Sequence, residues 1–272
     1  MTDSTNSKAN APRGKVPFVK ASACGNDFLI IDGLHAPADM AAFTRRICER
    51  HDGIGADGVE WLFPDQEADV RARLFNADGS EAEISGNGTR CVAAYWIAQH
   101  GGTRVRVRTG AGTKDCTLLA TSGARHDFET AMGEPQPGDE FSIKLAFGEV
   151  AGIPVSMGNP HFVVFVQEFG PGWPGEAAEI GQHHDFKYGI NVELVKVVAS
   201  NVIEVRFFER GVGETRSSGT GSSAAAVASI AAGKVRSPVE VRAPGGAQIV
   251  RWEGQVFLRG PAVLVCEGEY FV

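Results

Sequence analysis

The sequence predicts an α+β protein of two pseudo-symmetric domains, each a curved, mostly antiparallel sheet or barrel around one central helix. Three observations lead to this prediction. The chain of 272 residues repeats itself once, two segments rich in small apolar residues lie at equivalent positions of the repeat, and 34 glycines indicate many tight turns between short strands. A chain of this length is long enough for two domains of roughly 100–150 residues, each with its own core.

The internal repeat relates the two halves of the chain by one constant offset, which slips by a single position in the last match. The four matching pairs are GNDF at 25–28 with GNPHF at 158–162, FNADGSE at 75–81 with FERGVGE at 208–214, SGNGT at 85–89 with SGTGS at 218–222, and VRTGAG at 107–112 with VRAPGG at 241–246. Four matches in one order at almost one offset indicate a duplication. We therefore expect two related domains, residues 16–135 and 136–272, that face one another across a cleft. Whether the last strand returns to the first domain is left open.

Hydrophobic periodicity places the regular elements. Strands are predicted at 16–21, 28–32, 70–75 and 104–109 in the first half, and at 202–208 and 239–241 in the second. Helical spacing predicts a helix over 37–50. Two further helices, over 89–99 and 222–232, follow the glycine-rich turns and have little polar surface, so we expect each to lie inside its domain, wrapped by strands.

Composition argues against several classes of function. The net charge is −7 and the sequence pI about 5.5, so no basic surface is expected for nucleic acid or anionic lipid. No apolar run approaches the roughly 18–20 residues of a membrane span. Residues 1–15 are polar and lack an apolar core region, which predicts a disordered tail and no signal peptide. A small-molecule ligand is favoured.

The cysteine pattern bears on the compartment. The five cysteines are Cys24, Cys48, Cys91, Cys116 and Cys266. They are odd in number, widely scattered and without a C-x-x-C pair. This predicts neither a disulfide framework nor a zinc site, and it favours a reducing cytoplasm.

Two Ser-Gly-x-Gly turns are the most informative motif. Ser85 and Ser218 each open a predicted helix, whose first backbone N–H groups lack an intrahelical partner. Glycine lets a ligand approach closely and the helix dipole favours an anion, so each turn suits a carboxylate or phosphate. Serine is also an ordinary N-cap residue, so a purely structural role is the alternative for either turn alone. The paired copies favour a site in which the two turns bracket a small acid.

The remaining motifs predict no cofactor and no metal. The segment GTGSSA at 219–224 fits a permissive dinucleotide-binding pattern, but a predicted hairpin follows it where a βαβ crossover is required. His183, His184 and Asp185 lack helical spacing and further ligands, so a metal site there is disfavoured. The sequence has neither a P-loop nor a G-x-S-x-G nucleophile elbow.

Four stretches together resemble the signatures of the diaminopimelate epimerases: ACGNDF at 23–28, FNADGSE at 75–81, SMGNPH at 156–161 and ERGVGET at 209–215. The resemblance runs from about Phe18 to the C-terminus. It implies a cofactor-independent isomerase that interconverts LL- and meso-diaminopimelate at an α-carbon, for lysine and cell-wall synthesis. It also implies a small-molecule amino-acid substrate. Whether the protein forms a homodimer is left open on the sequence alone.

The resemblance assigns roles position by position. Ser85 and Ser218 occupy the two catalytic positions, on opposite sides of the α-carbon. The positions that match substrate-binding residues are Asn26, Asn76, Gly86, Asn87, Asn159, Asn191, Glu209, Arg210, Gly219 and Thr220. Among them, Arg210 would pair with the distal carboxylate as a buried charge-assisted partner. His161 would lie beside one catalytic residue and tune it.

The catalytic positions are also where the sequence departs from the family pattern. The family has cysteine in both turns, where this chain has Ser85 and Ser218, and Gly58 and Ser223 replace a glutamine and a further cysteine. A thiol ionises near neutral pH far more readily than a hydroxyl does. No strong base is evident in the sequence beside either serine. Proton abstraction is therefore expected to be slow.

Four interpretations stay open on the sequence alone. The chain is an engineered form with both cysteines exchanged, a natural epimerase of weak or no activity, a relative that isomerises or dehydrates another amino or hydroxy acid, or an inactive amino-acid-binding paralogue. The departures at Gly58 and Ser223 argue against a minimal engineered exchange. The epimerase is the favoured interpretation.

Overall fold

The structure, a computed structural model, describes residues 14–272. Most of the predicted N-terminal tail therefore lies outside the described residues. Its last residue, Lys15, opens the first strand. The carbonyl of Gly14 accepts a hydrogen bond from the backbone N–H of Val272 at 2.9 Å, which ties the two ends of the described chain together.

Strands dominate the described residues, which also contain four α-helices and one 3₁₀ turn, Gly33–His35. The first half contains β1 (Lys15–Ala23), β2 (Asn26–Asp32), α1 (Met40–Cys48), β3 (Gly58–Phe63), β4 (Val70–Asn76), β5 (Glu81–Ala82), α2 (Gly86–His100), β6 (Arg104–Thr109), β7 (Gly112–Ser122), β8 (Arg125–Gly133) and β9 (Gln136–Pro137). The second half contains β10 (Phe141–Leu145), β11 (Gly148–Ser156), β12 (Pro160–Phe165), α3 (Trp173–Gly181), β13 (Asn191–Ala199), β14 (Val202–Glu209), β15 (Gly213–Thr215), α4 (Gly219–Ala231), β16 (Val239–Ala243), β17 (Gly246–Glu253) and β18 (Gln255–Phe271).

The first half closes into a barrel. Its hydrogen-bonded order is β1, β2, β3, β4, β6, β7, β8 and β18, and β18 pairs back onto β1. Neighbours are antiparallel except for β2 with β3 and β4 with β6, which are parallel. Helix α2 runs through the interior, where its apolar side chains join the core formed by the surrounding strands.

The second half repeats this topology. Its order is β11, β12, β13, β14, β16, β17 and β18, then β8, whose continuation β9 pairs back onto β11. The parallel pairs, β12 with β13 and β14 with β16, fall at the equivalent places. Helix α4 fills the interior and is buried from Gly219 to Ser229. The predicted fold class, α+β with sheets curved around central helices, is confirmed.

The repeat seen in the sequence is also visible in the elements. Helix α1 begins at Met40 and α3 begins at Trp173, which are equivalent positions of the repeat, and both helices have nine residues. The predicted boundary near residue 135 falls between β8 and β9. Strand β18 pairs with β17, β8 and β1 in turn. Strands β8 and β18 therefore belong to both barrels.

The two central helices begin slightly earlier than the sequence analysis predicted. Thr89 and Ser222 were the expected starts, whereas the helices begin at Gly86 and Gly219. Glycine normally argues against a helix, but here a serine side chain caps each first turn and so stabilises it. None of the helices within residues 14–272 is both long and apolar enough to cross a membrane.

Candidate active site

A cleft of about 1190 Å³ lies between the two barrels and takes its walls from both. It brings together the residues assigned to catalysis or substrate binding by the resemblance: Asn26, Asn76, Ser85, Gly86, Asn87, Asn159, Asn191, Glu209, Arg210, Ser218, Gly219 and Thr220. Of the predicted site residues, His161 alone does not line it. Segments far apart in sequence therefore converge on one cavity.

The two Ser-Gly-x-Gly turns meet at the floor of this cleft. Ser85 Oγ accepts the backbone N–H of Gly88 at 3.0 Å, and Ser218 Oγ accepts that of Gly221 at 3.1 Å. Each serine therefore caps its helix, as expected if its role were purely structural. This does not conflict with a role in the site, because the first N–H groups of each helix remain without an intrahelical acceptor.

The turns approach so closely that their backbones are in contact. A Cβ added at Gly86 would lie 3.2 Å from Cα of Gly219, and one added at Gly219 would lie 3.1 Å from Cα of Gly86. Glycine at both positions lets the two helix N-termini come together. Their dipoles add to the positive potential at one place, which favours a bound carboxylate.

A carboxyl group stands next to Ser218. The Ser218 hydroxyl donates to Oε2 of Glu209 at 3.4 Å, and the Thr215 hydroxyl donates to Oε1 at 2.6 Å. Burial raises the pKa of Glu209, and the hydrogen bonds from Thr215 and Ser218 partly offset this. The expectation that no base flanks either serine is therefore wrong for Ser218. The contact between Glu209 and Ser218 was not evident from the sequence, because it forms only when the β14–β15 turn folds the chain back on itself.

The first barrel has a different group at the equivalent position. Asn76 is the counterpart of Glu209 in the FNADGSE–FERGVGE match, and it donates its side-chain N–H to the Ser80 hydroxyl at 3.0 Å. An amide cannot accept a proton at ordinary pH, as a carboxylate can. The two faces of the cleft are therefore chemically unequal, although their backbones are nearly symmetric.

Asn87 links the two barrels through its side-chain amide. Its nitrogen donates to Oδ1 of Asn26 at 2.6 Å and to the Ser217 hydroxyl at 3.2 Å. Its oxygen accepts from Gln248 at 3.3 Å and from the fully buried Arg90. With donors and acceptor engaged, the amide has little freedom to rotate, and it holds the α2 turn against β2 and β17.

His161 lies behind the cleft wall. Its Nδ1 is 2.7 Å from Oε1 of Glu193 and its Nε2 is 3.0 Å from Oδ1 of Asn159. Asn159 in turn donates to the Thr220 hydroxyl at 3.4 Å. Burial raises the pKa of Glu193, and the adjacent imidazole opposes that effect. Both ring nitrogens are thus engaged, and His161 reaches the cleft through Asn159.

Arg210 and Asn191 form the rim at one end. The Asn191 side chain donates to the Pro160 carbonyl at 2.8 Å and accepts the backbone N–H of Arg210 at 2.9 Å. The Arg210 guanidinium donates to the Tyr188 carbonyl at 3.4 Å and forms no salt bridge within residues 14–272. Arg210 is exposed, whereas a buried arginine was expected, because the β14–β15 turn projects it past the edge of the barrel.

A charged cluster at the opposite wall was not predicted from the sequence. Asp27 forms ion pairs of 2.9 Å with Lys20 and with Arg50, and Arg50 also contacts Asp57 at 2.8 Å. Asn26 donates to Asp57 at 3.1 Å. The cluster could have been recognised from the polar pair Asn26-Asp27, which opens the otherwise apolar strand β2, since a charge at the end of a buried strand needs a partner.

The histidine cluster is separate from this cleft. The ligand atoms of His183, His184 and Asp185 lie within 4.8 Å of one another, after the end of α3. None of the three lines the cleft. All five cysteines are free, and only Cys266 is exposed.

Solved structures with the same fold have low sequence identity to this chain. A probable proline racemase from Agrobacterium radiobacter superposes with a TM-score of 0.75 at 16% identity, over 94% of this chain and 93% of that one. A hydroxyproline epimerase from Agrobacterium vitis gives 0.74 at 17% identity, over 95% and 93%. A methylitaconate-delta-isomerase gives 0.68 at 14% identity, over 96% of both chains. These likenesses define the fold class, twin barrels with a cleft between them.

Sequence comparison identifies the family. The model of the family described as Diaminopimelate epimerase matches residues 18–137 and 153–265. A diaminopimelate epimerase from Pelotomaculum thermopropionicum is 39% identical over 93% of this chain and 98% of its own length. One from Microcystis aeruginosa is 37% identical over 94% and 99%. The chain belongs to the diaminopimelate epimerase family and is an isomerase of the amino-acid epimerase class.

Proposed function

We propose that the protein epimerises one α-carbon of diaminopimelate and interconverts the LL- and meso-isomers, a reaction of lysine and peptidoglycan synthesis. The relatives described above carry the name of this activity. The observation that carries the proposal is the meeting of two Ser-Gly-x-Gly turns in one cleft, with a carboxyl group hydrogen-bonded to one of the serines.

The two helix N-termini supply the site for the reacting carboxylate. The free N–H groups of Gly86 and Asn87 lie on one side and those of Gly219 and Thr220 on the other, at the positive ends of two helix dipoles. Removal of an α-proton places negative charge on this carboxylate. Donors that are already oriented toward it stabilise the developing charge without reorganisation, which lowers the barrier.

Epimerisation needs a proton acceptor on one face of the α-carbon and a donor on the other. On one face the Ser218 hydroxyl and Glu209 form a linked pair, 3.4 Å apart. The α-proton passes to Ser218 Oγ while the hydroxyl proton passes to the Glu209 carboxylate. This arrangement supplies the base that an isolated serine hydroxyl lacks.

The distal end of the substrate suits the rim. Diaminopimelate carries two carboxylates and two ammonium groups, and the cleft lining also carries both signs. Arg210 is free to pair with a distal carboxylate, whereas Asp57 and Glu214 lie within the same lining and suit an ammonium group. We place the enzyme in the cytoplasm, where a reducing environment keeps its five cysteines unpaired.

The decisive experiment is incubation with LL- and with meso-diaminopimelate in deuterium oxide, with α-proton exchange followed by NMR. Exchange together with interconversion of the isomers supports the proposal. Binding without exchange identifies an amino-acid-binding paralogue, and no binding of either isomer points to a different acid. The matched control is the double variant Ser85→Ala with Ser218→Ala, which keeps the cleft and should bind without exchange.

A further inference from the structure

A carboxyl group lies among apolar side chains inside the first barrel. Glu60, in β3, is 3% exposed. Its neighbours across the ladder are Ile30 in β2 and Leu74 in β4, and both belong to the apolar core that packs on α2. Burying a carboxyl group in such surroundings is costly. Groups of this kind are concentrated at functional sites.

Glu60 reaches the turn that Ser85 opens. A Cβ added at Gly88 would overlap Oε1 of Glu60 and would lie 3.2 Å from Cβ of Ser85. Gly88 also donates its backbone N–H to Ser85 Oγ at 3.0 Å. The carboxyl group, the glycine and the serine thus form one set of contacts at the start of α2, and only glycine at position 88 leaves room for it.

The second barrel has a glutamate at the equivalent position with a different partner. Glu193 is the counterpart of Glu60 in the repeat and packs in the same way, with its Oε1 2.7 Å from the position of a Cβ added at Gly221. Its carboxylate is paired with His161 at 2.7 Å. The residue equivalent to His161 in the first barrel is Phe28, so no imidazole is available to Glu60 from that position.

The Ser85 hydroxyl also differs from its counterpart. Ser218 donates to Glu209, but within residues 14–272 the Ser85 hydroxyl accepts from Gly88 and donates to no side chain. Asn76, at the position equivalent to Glu209, is engaged with Ser80. Glu81 and Glu83 also line the cleft beside this turn, but Glu60 is the buried carboxyl group that packs against Gly88, the donor to Ser85 Oγ.

We propose that Glu60 is a positioning residue that acts through Ser85 and holds the transferred proton on this face of the cleft. Each serine then has its own carboxyl group, Glu209 at Ser218 and Glu60 at Ser85. The inference rests on the proposed function and deepens it, because it names the second acid–base group that inversion at a carbon requires.

The proton transfer balances without any further reagent. In one direction the substrate C–H bond breaks, its proton joins Ser85 Oγ, and the original hydroxyl proton moves to the Glu60 carboxylate. In the other direction the Glu60 carboxylic acid gives its proton to Ser85 Oγ as the hydroxyl proton moves to the carbanion. The hydroxyl turns about its Cβ–Oγ bond and can keep Gly88 as its backbone donor.

The surroundings of Glu60 set its protonation state. Burial raises its pKa to about 8. From α2 it is faced by the Cys91 thiol, whose pKa burial raises well above neutrality, and Arg90 is turned to the carbonyls of Gly86 and Pro261. The ladder neighbours from β2 and β4 are apolar. Glu60 is therefore mainly protonated at neutral pH and able to donate, and it accepts a proton only as the pH rises through about 8.

The test measures α-proton exchange in deuterium oxide separately from the LL- and the meso-isomer, which present the reacting proton to opposite faces. Glu60→Gln keeps the shape of the side chain and removes its ionisation. Exchange from the isomer facing Ser85 should fall about 100-fold, the order expected for loss of a general acid–base group. The rise of that exchange through about pH 8 should vanish, whereas exchange from the other isomer should persist.

Two further variants keep the outcome clear. Glu67→Gln removes an exposed carboxyl group of the same half and should leave both exchange rates unchanged. If Glu60→Gln does not fold, Glu60→Asp retains an ionisable group but withdraws it from Gly88, and should slow exchange on the same face while keeping a pH inflection. Equal losses for both isomers, or an unchanged inflection in Glu60→Gln, would overturn the inference. Absence of exchange by the unmodified protein would refute the proposed function itself, and the role of Glu60 with it.

Discussion

Serine at the N-cap of each central helix meets two demands. Its oxygen accepts a backbone N–H from Gly88 or Gly221, which stabilises the first turn by about 1 kcal/mol. Its hydrogen is still available for donation, and in Ser218 it is directed at Glu209. A thiol caps a helix less well but ionises more easily.

The exchange of both serines for cysteine should therefore raise activity and lower stability. We expect Ser85→Cys with Ser218→Cys to exchange α-protons faster than the unmodified protein, because a thiol can reach its ionised form near working pH. Either single variant should accelerate exchange from one isomer only. NMR exchange and thermal unfolding measure the two effects. A double variant that binds diaminopimelate but exchanges no α-proton would show that the pocket serves other chemistry.

Glu209 should make α-proton exchange on the Ser218 face of the cleft depend on pH. It accepts a proton only when ionised, and burial raises its pKa above the ordinary value for glutamate. Exchange from the isomer facing Ser218 should rise with pH through an inflection above that ordinary value. Glu209→Gln should remove the inflection and slow this exchange. Retention of the same pH profile in the variant would exclude Glu209 as the base.

Arg210 should discriminate between ligands with one and with two carboxylates. Arg210→Ala should weaken binding of a dicarboxylate about fivefold, since an exposed ion pair contributes ~1 kcal/mol, and should change binding of a monocarboxylate analogue much less. Calorimetric titration measures both affinities, with Arg71→Ala as a control at an exposed arginine outside this cleft. Equal losses for the two ligands would assign Arg210 a structural role.

At the scale of elements, glycines decide how the two barrels fit. The β16–β17 turn of the second barrel packs on the β1–β2 turn of the first. A Cβ added at Gly245 would overlap the carbonyl oxygen of Cys24, and one added at Gly25 would lie 3.0 Å from Cα of Gly245. In the sequence these positions have the pattern of simple turn glycines. Their close packing depends on a partner in the other half of the chain.

Alanine substitution should separate crowded from uncrowded glycines. Gly245→Ala should lower the free energy of unfolding by about 1–3 kcal/mol, the usual cost of overpacking. Gly175→Ala is the matched control, because Gly175 lies in α3 with nothing near the added Cβ, and it should stabilise the protein by about 0.5–1 kcal/mol. Denaturant titration gives both values. If both substitutions changed the free energy of unfolding in the same direction by similar amounts, the account of this turn contact would be contradicted.

At the scale of the whole molecule, the shared strands couple the two halves. Strands β8 and β18 are hydrogen-bonded to each other and belong to both barrels. Opening either barrel along them exposes part of the core of the other. The duplication therefore produced two similar units that do not have separate sheets.

The two barrels should consequently unfold together. Trp61 is fully buried in the first half, and Trp252 packs on the core of the second. The chain has four tryptophans. A variant in which Trp61 is the sole tryptophan and one in which Trp252 is the sole tryptophan should give fluorescence transitions with the same midpoint in denaturant, as a two-state transition requires. Two separated midpoints would mean that the halves are independent domains despite the strands they share.

The sequence by itself determined the duplication, the twin buried helices and the family. The constant offset between the matching stretches and the small apolar side chains after each Ser-Gly-x-Gly turn are patterns along the chain, and such patterns are sufficient to predict elements and their repetition. The family signatures added the site residues, and nearly all of the residues predicted in this way converge on the cleft. Asn26, Asn87 and Asn159 were among them because they match substrate-binding positions of the family that the chain resembles, and each also sits in a repeated glycine-rich turn.

Only the tertiary structure decided which groups stand beside the serines. Glu209 reaches Ser218 through a turn, and Glu60 reaches Gly88 from β3, a strand that the closed barrel brings close to the start of α2. Protonation depends on burial and on neighbouring groups, and both are set by contacts between distant segments. For the same reason the exposure of Arg210 and the sharing of β8 and β18 could not be predicted from the sequence, since the closure of a barrel fixes them and no local pattern records that closure.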